Sequence, residues 1–396
     1  MIITLVLPQP PAYSETFFRS KIKGLQESGH QVILVTGTGS TNFDQCEHLR
    51  HPVIHTNSLK QMFQMLFEFS KLLPYTKRVI TYVKLERKER TSIKRTLEKL
   101  YLNATLLKLK TQWLHFGFAT MAIDRELVAK AIGAKLSVSF RGYDIEVHPN
   151  INPMVYSKLW VQLDKVHSIS NYLMAQAYKL NLPKNIEHQV IQPAIELKKL
   201  SGLGNRVVEV PNKINIVTVA RLHWIKGIDE LIEVAYHLKK SQLNFVWTII
   251  GGGDQKSEER YKFHAFKRDL ENEINFAGKQ THEHTLDVMK SADVYAQTSL
   301  SEGFCNAVLE AQALGKLIVV PDAGALPENV VDHKTGWLVP SFQPEKFAEK
   351  IIEVLNLPDE EKLKISENAI NRVKREVSLE LQKEKFNHFF TSSNVI

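Results

Sequence analysis

The chain has 396 residues, of which 43% are hydrophobic and 24% are charged, and its formal net charge is +8. This length and composition suit two domains that each bury a core, and they exclude a largely disordered protein. The apolar runs are shorter than a membrane-spanning helix, and Cys46 and Cys305 lie far apart without a CxxC motif. We therefore expect no transmembrane segment, no disulfide framework and no zinc site.

Short apolar runs alternate with longer amphipathic stretches along nearly the whole chain, which predicts βαβ units and a mostly parallel sheet. In the first half we predict strands at residues 2–7, 32–36, 113–116, 136–140, 166–168 and 189–191. A helix is predicted at residues 14–28, because Gly29 can adopt the left-handed conformation that ends a helix.

Positive charge is densest between Lys77 and Lys110. Apolar residues recur there at helical spacing, namely Ile93, Leu97, Leu100, Ala104 and Leu107. This basic amphipathic helix would either lie on an anionic lipid surface or pack its apolar stripe on its own domain, and both alternatives stay open. No motif of a nucleic-acid-binding module accompanies the charge, so we expect no nucleic-acid partner.

The second half repeats the strand pattern of the first. Its predicted strands are residues 214–219, 245–250, 274–276, 294–297 and 317–320. The segment 197–213 is polar and lacks a clear period, which predicts an interdomain linker. We expect a first domain at 1–196, a second at 214–376 and a C-terminal helix at 377–396 that returns to the first domain. The predicted fold class is α/β, with two Rossmann-like β/α/β domains facing across a cleft.

The strongest motif lies between the last two predicted strands. Glu302 falls on a loop and Glu310 on the helix that follows, so both carboxylates can face one ligand. Gly303 allows close approach of the backbone, and the N–H groups of Phe304 and Cys305 at a helix N-terminus suit a diphosphate. The alternative is that the two carboxylates only complement the helix dipole. A buried, unpartnered carboxylate at position 310 would be costly, which favours the ligand-binding interpretation.

A second motif follows the first strand of the second half. Arg221 presents a planar fork that suits phosphate oxygens, and Lys226 adds a mobile point charge, so the pair can offset the charge of a leaving diphosphate. The glycines at 251–253, with Gly252 at their centre, form a strand exit that allows close backbone approach. No GK[ST] sequence follows them, so this is not a Walker loop.

Taken together, these motifs resemble those of glycosyltransferase family 4, a large family of retaining enzymes with the GT-B fold. The resemblance covers nearly the whole chain and rests on the E-x7-E pair at 302 and 310, the R-x4-K pair at 221 and 226, and the glycine turn. It implies a nucleotide-diphosphate sugar as donor, with Glu302 on sugar hydroxyls, Glu310 on the ribose, and the amides of Gly303 and Phe304 on the sugar or pyrophosphate. It also implies same-face substitution without a metal or a cofactor.

Three further residue groups extend the resemblance into the first domain. Ser14 and Glu15 resemble the N-terminal loop of the branch that includes colanic-acid-type transferases of bacterial exopolysaccharide synthesis. His115 resembles a cleft-lining residue at a strand end, but it is equally a candidate for a buried core histidine. Arg141 stands where the family commonly has a histidine that contacts the donor sugar. An arginine there can hydrogen-bond a hydroxyl or stabilise the diphosphate, but it cannot act as a base.

The resemblance favours an active transferase with a saccharide or lipid-linked acceptor, located in the cytoplasm or on the inner face of the cell membrane. Three alternatives remain: a nucleotide-sugar epimerase of the same fold, a sugar-nucleotide hydrolase, and a catalytically inactive protein at the membrane surface.

Overall fold

The computed structural model describes residues 1–11, 16–37, 43–196 and 213–392. The chain forms two compact units, of which unit 1 comprises Met1–Ile191 with Gln382–Ile396 and unit 2 comprises Gln192–Leu381. The predicted linker at 197–213 lies outside the described residues, apart from Lys213, and so do Ser14 and Glu15.

Unit 1 is built on a seven-stranded parallel sheet in the order β3-β2-β1-β4-β5-β6-β7. Its strands are β1 (Ile2–Val6), β2 (Gln31–Thr36), β3 (Glu47–Arg50), β4 (Trp113–Phe116), β5 (Lys135–Phe140), β6 (Lys165–Ser168) and β7 (Glu187–Val190). The six predicted strands are confirmed. Strand β3 was not predicted, because its sequence EHLR is charged and none of its residues is buried, as suits a short edge strand.

Helices cover this sheet. They are α1 (Thr16–Glu27), α2 (Ser58–Ser70), α3 (Thr76–Lys88), α4 (Ile93–Leu102), α5 (Ala104–Leu107), α6 (Val128–Ile132), α7 (Tyr143–Glu146), α8 (Ser157–Gln162) and α9 (Asn171–Lys179). Local capping explains where several of them begin. The Oδ1 atom of Asn57 accepts from the backbone N–H groups of Leu59 and Lys60, both at 3.0 Å, and so starts α2.

The predicted basic amphipathic helix is two helices, α4 and α5, separated at Asn103. The apolar stripe divides at the same place. Its last three members are buried, namely Leu100, Ala104 and Leu107, whereas its first two are exposed, namely Ile93 at 67% and Leu97 at 43%. Packing on unit 1 therefore accounts for the second part of the stripe but not for the first.

Unit 2 is built on a six-stranded parallel sheet in the order β10-β9-β8-β11-β12-β13. Its strands are β8 (Ile214–Val219), β9 (Phe245–Ile250), β10 (Ile274–Gly278), β11 (Val294–Ala296), β12 (Leu317–Pro321) and β13 (Trp337–Val339). The five predicted strands are confirmed, and the three-residue β13 was too short to be recognised.

The helices of unit 2 are α10 (Ile228–Lys240), α11 (Gln255–Lys267), α12 (His282–Lys290), α13 (Asn306–Ala313), α14 (Leu326–Asn329), α15 (Pro344–Leu355) and α16 (Asp359–Glu376). The last helix of the chain, α17 (Leu379–Thr391), begins at the end of unit 2, and its residues from Gln382 onward belong to unit 1. None of the helices in the described ranges is long and apolar enough to cross a bilayer.

Helix α17 is held to unit 1 by aromatic side chains. Phe386, Phe389 and Phe390 are each at most 1% exposed. The ring of Trp113 on β4 lies 6.3 Å from that of Phe389 and 5.7 Å from that of Phe390, and its indole N–H donates to the carbonyl of Phe390 at 3.0 Å. The C-terminal helix is therefore part of the core of unit 1.

Replacing Phe389 with alanine should destabilise unit 1 by about 3 kcal/mol or more, because the substitution leaves a cavity that the aromatic cluster cannot close. The measurement is hydrogen exchange of peptides that cover β4, which reports the free energy of opening this unit. Phe263→Ala, at a side chain that is 63% exposed on α11, is the control and should leave the exchange unchanged. Equal exchange in the two variants would contradict the packing described here.

Candidate functional site

The topology of unit 2 brings the two charged motifs together. The strand order extends in opposite directions from the neighbouring strands β8 and β11, which makes their carboxyl ends the switch point of the sheet. Open α/β sheets bind ligands at this point. Arg221 and Lys226 follow β8 and Glu302 follows β11, so all three lie at the switch point.

A buried ion pair joins the two motifs. Lys226 Nζ lies 2.6 Å from Glu302 Oε1, and the two side chains are 18% and 7% exposed. The hydroxyl of Ser299 donates to the same carboxylate oxygen at 2.7 Å, the amide of Gln297 donates to Ser299 Oγ at 2.8 Å, and Tyr295 donates to Gln297 Oε1 at 2.7 Å. The Glu302 carboxylate is therefore oriented by the protein before any ligand binds.

Burial and the charge of Glu302 together set the protonation states of Lys226 and Cys305. Burial disfavours the Lys226 ammonium, but attraction to Glu302 outweighs it, so the pKa of Lys226 lies above its ordinary value and the side chain is cationic at neutral pH. Burial, and then the charge of Glu302, raise the pKa of the Cys305 thiol to about 12. Cys305 is therefore a neutral thiol at neutral pH, which is unsuited to act as a nucleophile.

Glycines bring the strand exits into close contact. Gly227 has a φ of +62°, and a Cβ atom there would lie 1.9 Å from the carbonyl oxygen of Thr298. Gly251 has a φ of +148°, and a Cβ atom there would lie 1.9 Å from the carbonyl oxygen of Ala220. Only glycine allows these approaches, so the loops that follow β8, β9 and β11 pack directly against one another.

A cavity of about 840 Å³ lies at these strand ends within unit 2, a size typical of a small-molecule site. Eight residues named from the sequence line it: Arg221, Lys226, the three glycines at 251–253, Glu302, Phe304 and Cys305. Lys279 and Glu258 also line the cavity, although neither was predicted from the sequence. Lys279 directly follows β10, and this position at a strand end could have identified it as a candidate site residue.

The backbone amide of Cys305 is not available to a diphosphate, contrary to the expectation from the sequence. It donates to Asn329 Oδ1 at 2.9 Å, and the amide of Asn329 donates back to the carbonyl of Cys305 at 3.1 Å. Cys305 is the N-cap residue of α13 and makes no side-chain capping bond, so Asn329 satisfies the helix end instead. Gly303 lies half-buried in the same loop.

Glu310 has a protein partner. On α13, its Oε1 atom lies 2.8 Å from Nε2 of His282, the first residue of α12, and its side chain is 17% exposed. Glu310 is not among the residues that line the cavity. The carboxylate does have the partner that its burial requires, but in this structure the partner is a histidine that the sequence analysis did not identify.

Arg141 and His115 belong to unit 1, whereas the residues discussed above belong to unit 2. The guanidinium carbon of Arg141 lies 4.1 Å from the ring centre of Phe17 and 4.7 Å from that of Phe18. Its backbone N–H donates to Asp144 Oδ1 at 2.9 Å. The aromatic faces therefore hold the positive charge at the carboxyl end of β5.

His115 is fully buried, and its contacts are those of a core residue rather than of a ligand-facing one. Its ring nitrogens lie 2.8 Å from Lys21 Nζ, 2.8 Å from Ser137 Oγ and 2.9 Å from Ser139 Oγ. Ser139 also lies 2.8 Å from Nδ1 of His167, which is likewise fully buried. Burial, and then the charge of Lys21, lower the pKa of both histidines well below the ordinary value.

Among the residues that the structure describes, no group of three or more His, Cys, Asp or Glu side chains is arranged to hold a metal ion. Asp144 is 1% exposed, and its carboxylate accepts from the backbone N–H groups of Arg141 and Ala119. It therefore shapes the loop that carries Arg141.

The chain is similar in sequence to known glycosyltransferases. Residues 205–372 match the profile of the family described as glycosyl transferases group 1. The chain is 25% identical over 271 residues to a protein of Escherichia coli provisionally assigned as the colanic acid biosynthesis glycosyltransferase WcaL, a match that covers 66% of this chain and 65% of that protein. The protein of the same name in Salmonella typhimurium is 23% identical to this chain over an alignment of 415 positions, which covers 99% of each protein.

The fold is also found among solved structures. A protein of Anabaena, determined in complex with UDP and glucose, superposes with a TM-score of 0.71 at 15% identity, covering 99% of this chain and 100% of that chain. The sucrose-phosphate synthase of Thermosynechococcus elongatus superposes with a TM-score of 0.74 at 16% identity, covering 98% of each chain.

Replacing Lys226 with methionine should destabilise unit 2 by about 3 kcal/mol or more, because it leaves the Glu302 carboxylate buried without its counter-charge. Adding Glu302→Gln to this variant should restore part of the loss, since the uncompensated charge is then removed. Urea unfolding of the single and double variants measures the coupling free energy. Additive effects of the two substitutions would contradict a coupled pair.

Acid should destabilise unit 1 through His115 and His167. Their folded-state pKa values lie below the unfolded value, so the unfolded chain takes up protons first and stability falls as the pH drops below about 6.5. Between about pH 6.5 and 5.5 the loss is about 1 kcal/mol per histidine. Urea unfolding at the two pH values measures it. His115→Gln should reduce the pH dependence, and His333→Gln, at an exposed side chain, should leave it unchanged.

Proposed function

We propose that the protein is a retaining glycosyltransferase of family 4, because residues 205–372 match the glycosyl transferases group 1 family and the chain has the GT-B fold. It would move a sugar from a nucleotide-diphosphate sugar to a hydroxyl of a saccharide or lipid-linked acceptor. One observation carries the proposal: the cavity at the switch point of unit 2 contains Arg221, Lys226 and the oriented carboxylate of Glu302.

The charges of the cavity suit a nucleotide-diphosphate donor. Arg221 and Lys226 are two cations at one strand end, and Lys279 is a third at the end of β10. An ionised carboxylate accepts hydrogen bonds from alcohols, so Glu302 suits the hydroxyls of the donor sugar. The UDP and glucose in the solved structure from Anabaena are the two parts of such a donor.

The proposed reaction is same-face substitution. The bond from the anomeric carbon to the diphosphate oxygen breaks, the acceptor oxygen bonds to the same carbon, and the proton of the acceptor hydroxyl passes to the departing diphosphate. Arg221 and Lys226 stabilise the negative charge that develops on the leaving group. We propose that this occurs without a metal ion and without a covalent enzyme intermediate. The neutral Cys305 thiol in the cavity is consistent with the latter.

The proposed setting is the synthesis of a bacterial surface polysaccharide at the inner face of the cell membrane. The names of the relatives from Escherichia coli and Salmonella typhimurium, which refer to colanic acid biosynthesis, support the polysaccharide part of this proposal. The basic segment 77–110 would contribute attraction to anionic lipid. Arg141 remains a candidate contact for the donor, supported by its cationic side chain at the carboxyl end of β5.

Incubation with a panel of nucleotide sugars and bacterial lipid extract, followed by detection of released nucleoside diphosphate, tests the proposal. One donor should be consumed, EDTA should have no effect, and NMR of the product should show the anomeric configuration of the donor. Arg221→Ala should lower kcat by about 10²–10³-fold, as expected for losing a preorganised charge contact. Glu302→Gln should lower it strongly, whereas Glu283→Gln, at an exposed carboxylate, should not.

Other products would identify the alternatives. An isomerised nucleotide sugar formed without acceptor would indicate an epimerase, and free sugar would indicate a hydrolase. Nucleotide binding without turnover of any donor would indicate an inactive relative and would make the effect of Arg141→His on turnover the next measurement.

A further inference from the structure

Helix α2 (Ser58–Ser70) presents an uncovered apolar surface. Five large hydrophobic side chains on it are between 49% and 66% exposed: Leu59, Met62, Phe63, Leu66 and Phe67. Their spacing places them on one side of the helix, one turn after another. This surface is called the α2 apolar face below.

Two polar residues of α2, Gln61 and Glu68, contact other residues of unit 1, whereas Ser58, Lys60 and Ser70 are exposed. Gln61 accepts a hydrogen bond from the backbone N–H of His55 at 2.8 Å. Glu68 is buried and lies 2.7 Å from Lys71 and 3.7 Å from Lys108. A surface helix of a globular protein normally packs its apolar side on the core and exposes its polar side. Helix α2 departs from this pattern, because five large apolar side chains on it are exposed and Glu68 is buried.

Exposed large hydrophobic residues are also concentrated in the part of the sequence that contains α2. The structure describes 22 exposed large hydrophobic residues, and eleven of them lie between Val53 and Leu97. Besides the α2 apolar face, these are Val53, Ile54, Leu73, Ile80, Ile93 and Leu97. Such concentrations of exposed apolar surface mark interaction sites on proteins and membranes.

Charge decides which partner fits. Residues 58–110 contain thirteen lysines and arginines and four glutamates, a net charge of +9, which exceeds the +8 of the whole chain. One of these cations, Lys71, lies 3.9 Å from the ring centre of Phe67 on the α2 apolar face. An apolar helix face bordered by cations matches the interface of an anionic bilayer, where apolar side chains enter the acyl region and cations meet the headgroups.

We propose that the α2 apolar face inserts into the surface of an anionic phospholipid bilayer. A second copy of the chain would fit this face less well, because association would bring two segments of net charge +9 together. Helix α2 is the element that inserts, whereas attraction by the basic segment 77–110 requires no insertion. It extends the proposed function by placing the transferase where a lipid-linked acceptor would be found.

The experiment is flotation of the full-length protein with vesicles of phosphatidylcholine alone or mixed with phosphatidylglycerol. The wild type should float with the mixed vesicles, and less so at high salt. Phe63→Glu with Phe67→Glu should lower the bound fraction about tenfold or more, because each substitution would place a carboxylate in the acyl region. The matched control is Phe263→Glu with Phe266→Glu on α11, where the side chains are 63% and 57% exposed, and it should bind as the wild type does.

Three results would overturn the inference. The wild type could fail to float with either kind of vesicle, or the α2 double variant could float as well as the wild type. A dimeric wild type that becomes monomeric in the α2 double variant, measured by light scattering, would assign the face to self-association. Circular dichroism of both double variants excludes misfolding as the cause of lost binding. Flotation needs no sugar transfer, so its failure leaves the proposed activity standing, and loss of activity leaves the membrane inference standing.

Discussion

The ion pair between Lys226 and Glu302 is the interaction on which the rest of the candidate site depends. Removing two charges from water is costly, and their attraction offsets this cost only when the geometry is well held. Three features hold it here. Strands β8 and β11 are neighbours at the switch point of the sheet, Gly227 lets the loop after β8 contact the chain after β11, and Ser299 donates to the carboxylate. The site is consequently oriented before a ligand arrives, which is the condition for electrostatic stabilisation of a developing charge.

Much of the fold could be predicted, because strands buried on both faces of a parallel sheet are continuous apolar runs with a strong signal. All eleven predicted strands are present, and the two that were missed have specific reasons. Strand β3 is a charged edge strand, and β13 has only three residues. The charged motifs were found for a related reason, since they follow strands, and the carboxyl ends of parallel strands meet at one edge.

Several partners of the predicted residues could not be read from the sequence, because they come from distant segments. Glu310 illustrates this point. Its burial implied a partner, and the sequence analysis assigned that role to a ligand, whereas in the structure the partner is His282, 28 residues earlier. Likewise, the backbone N–H of Cys305 donates to Asn329 in another helix. Lys21 contacts His115, which lies 94 residues later in the sequence. A local pattern shows that a polar group must be satisfied but not which group satisfies it.

Helical periodicity likewise does not show which way an apolar face points. Membrane binding depends on this orientation. A repeat of apolar residues defines a face, but only tertiary packing determines whether this face points inward. Of the stripe predicted between residues 93 and 107, three members are core residues, so basic amphipathic character alone was insufficient evidence for a lipid-facing helix. The five residues of the α2 apolar face are all exposed, while buried Glu68 lies on the inner side of the same helix. Full burial of such a side chain contributes about 1.5–3 kcal/mol. Five on one face can therefore supply the apolar part of membrane binding that the lysines and arginines alone cannot.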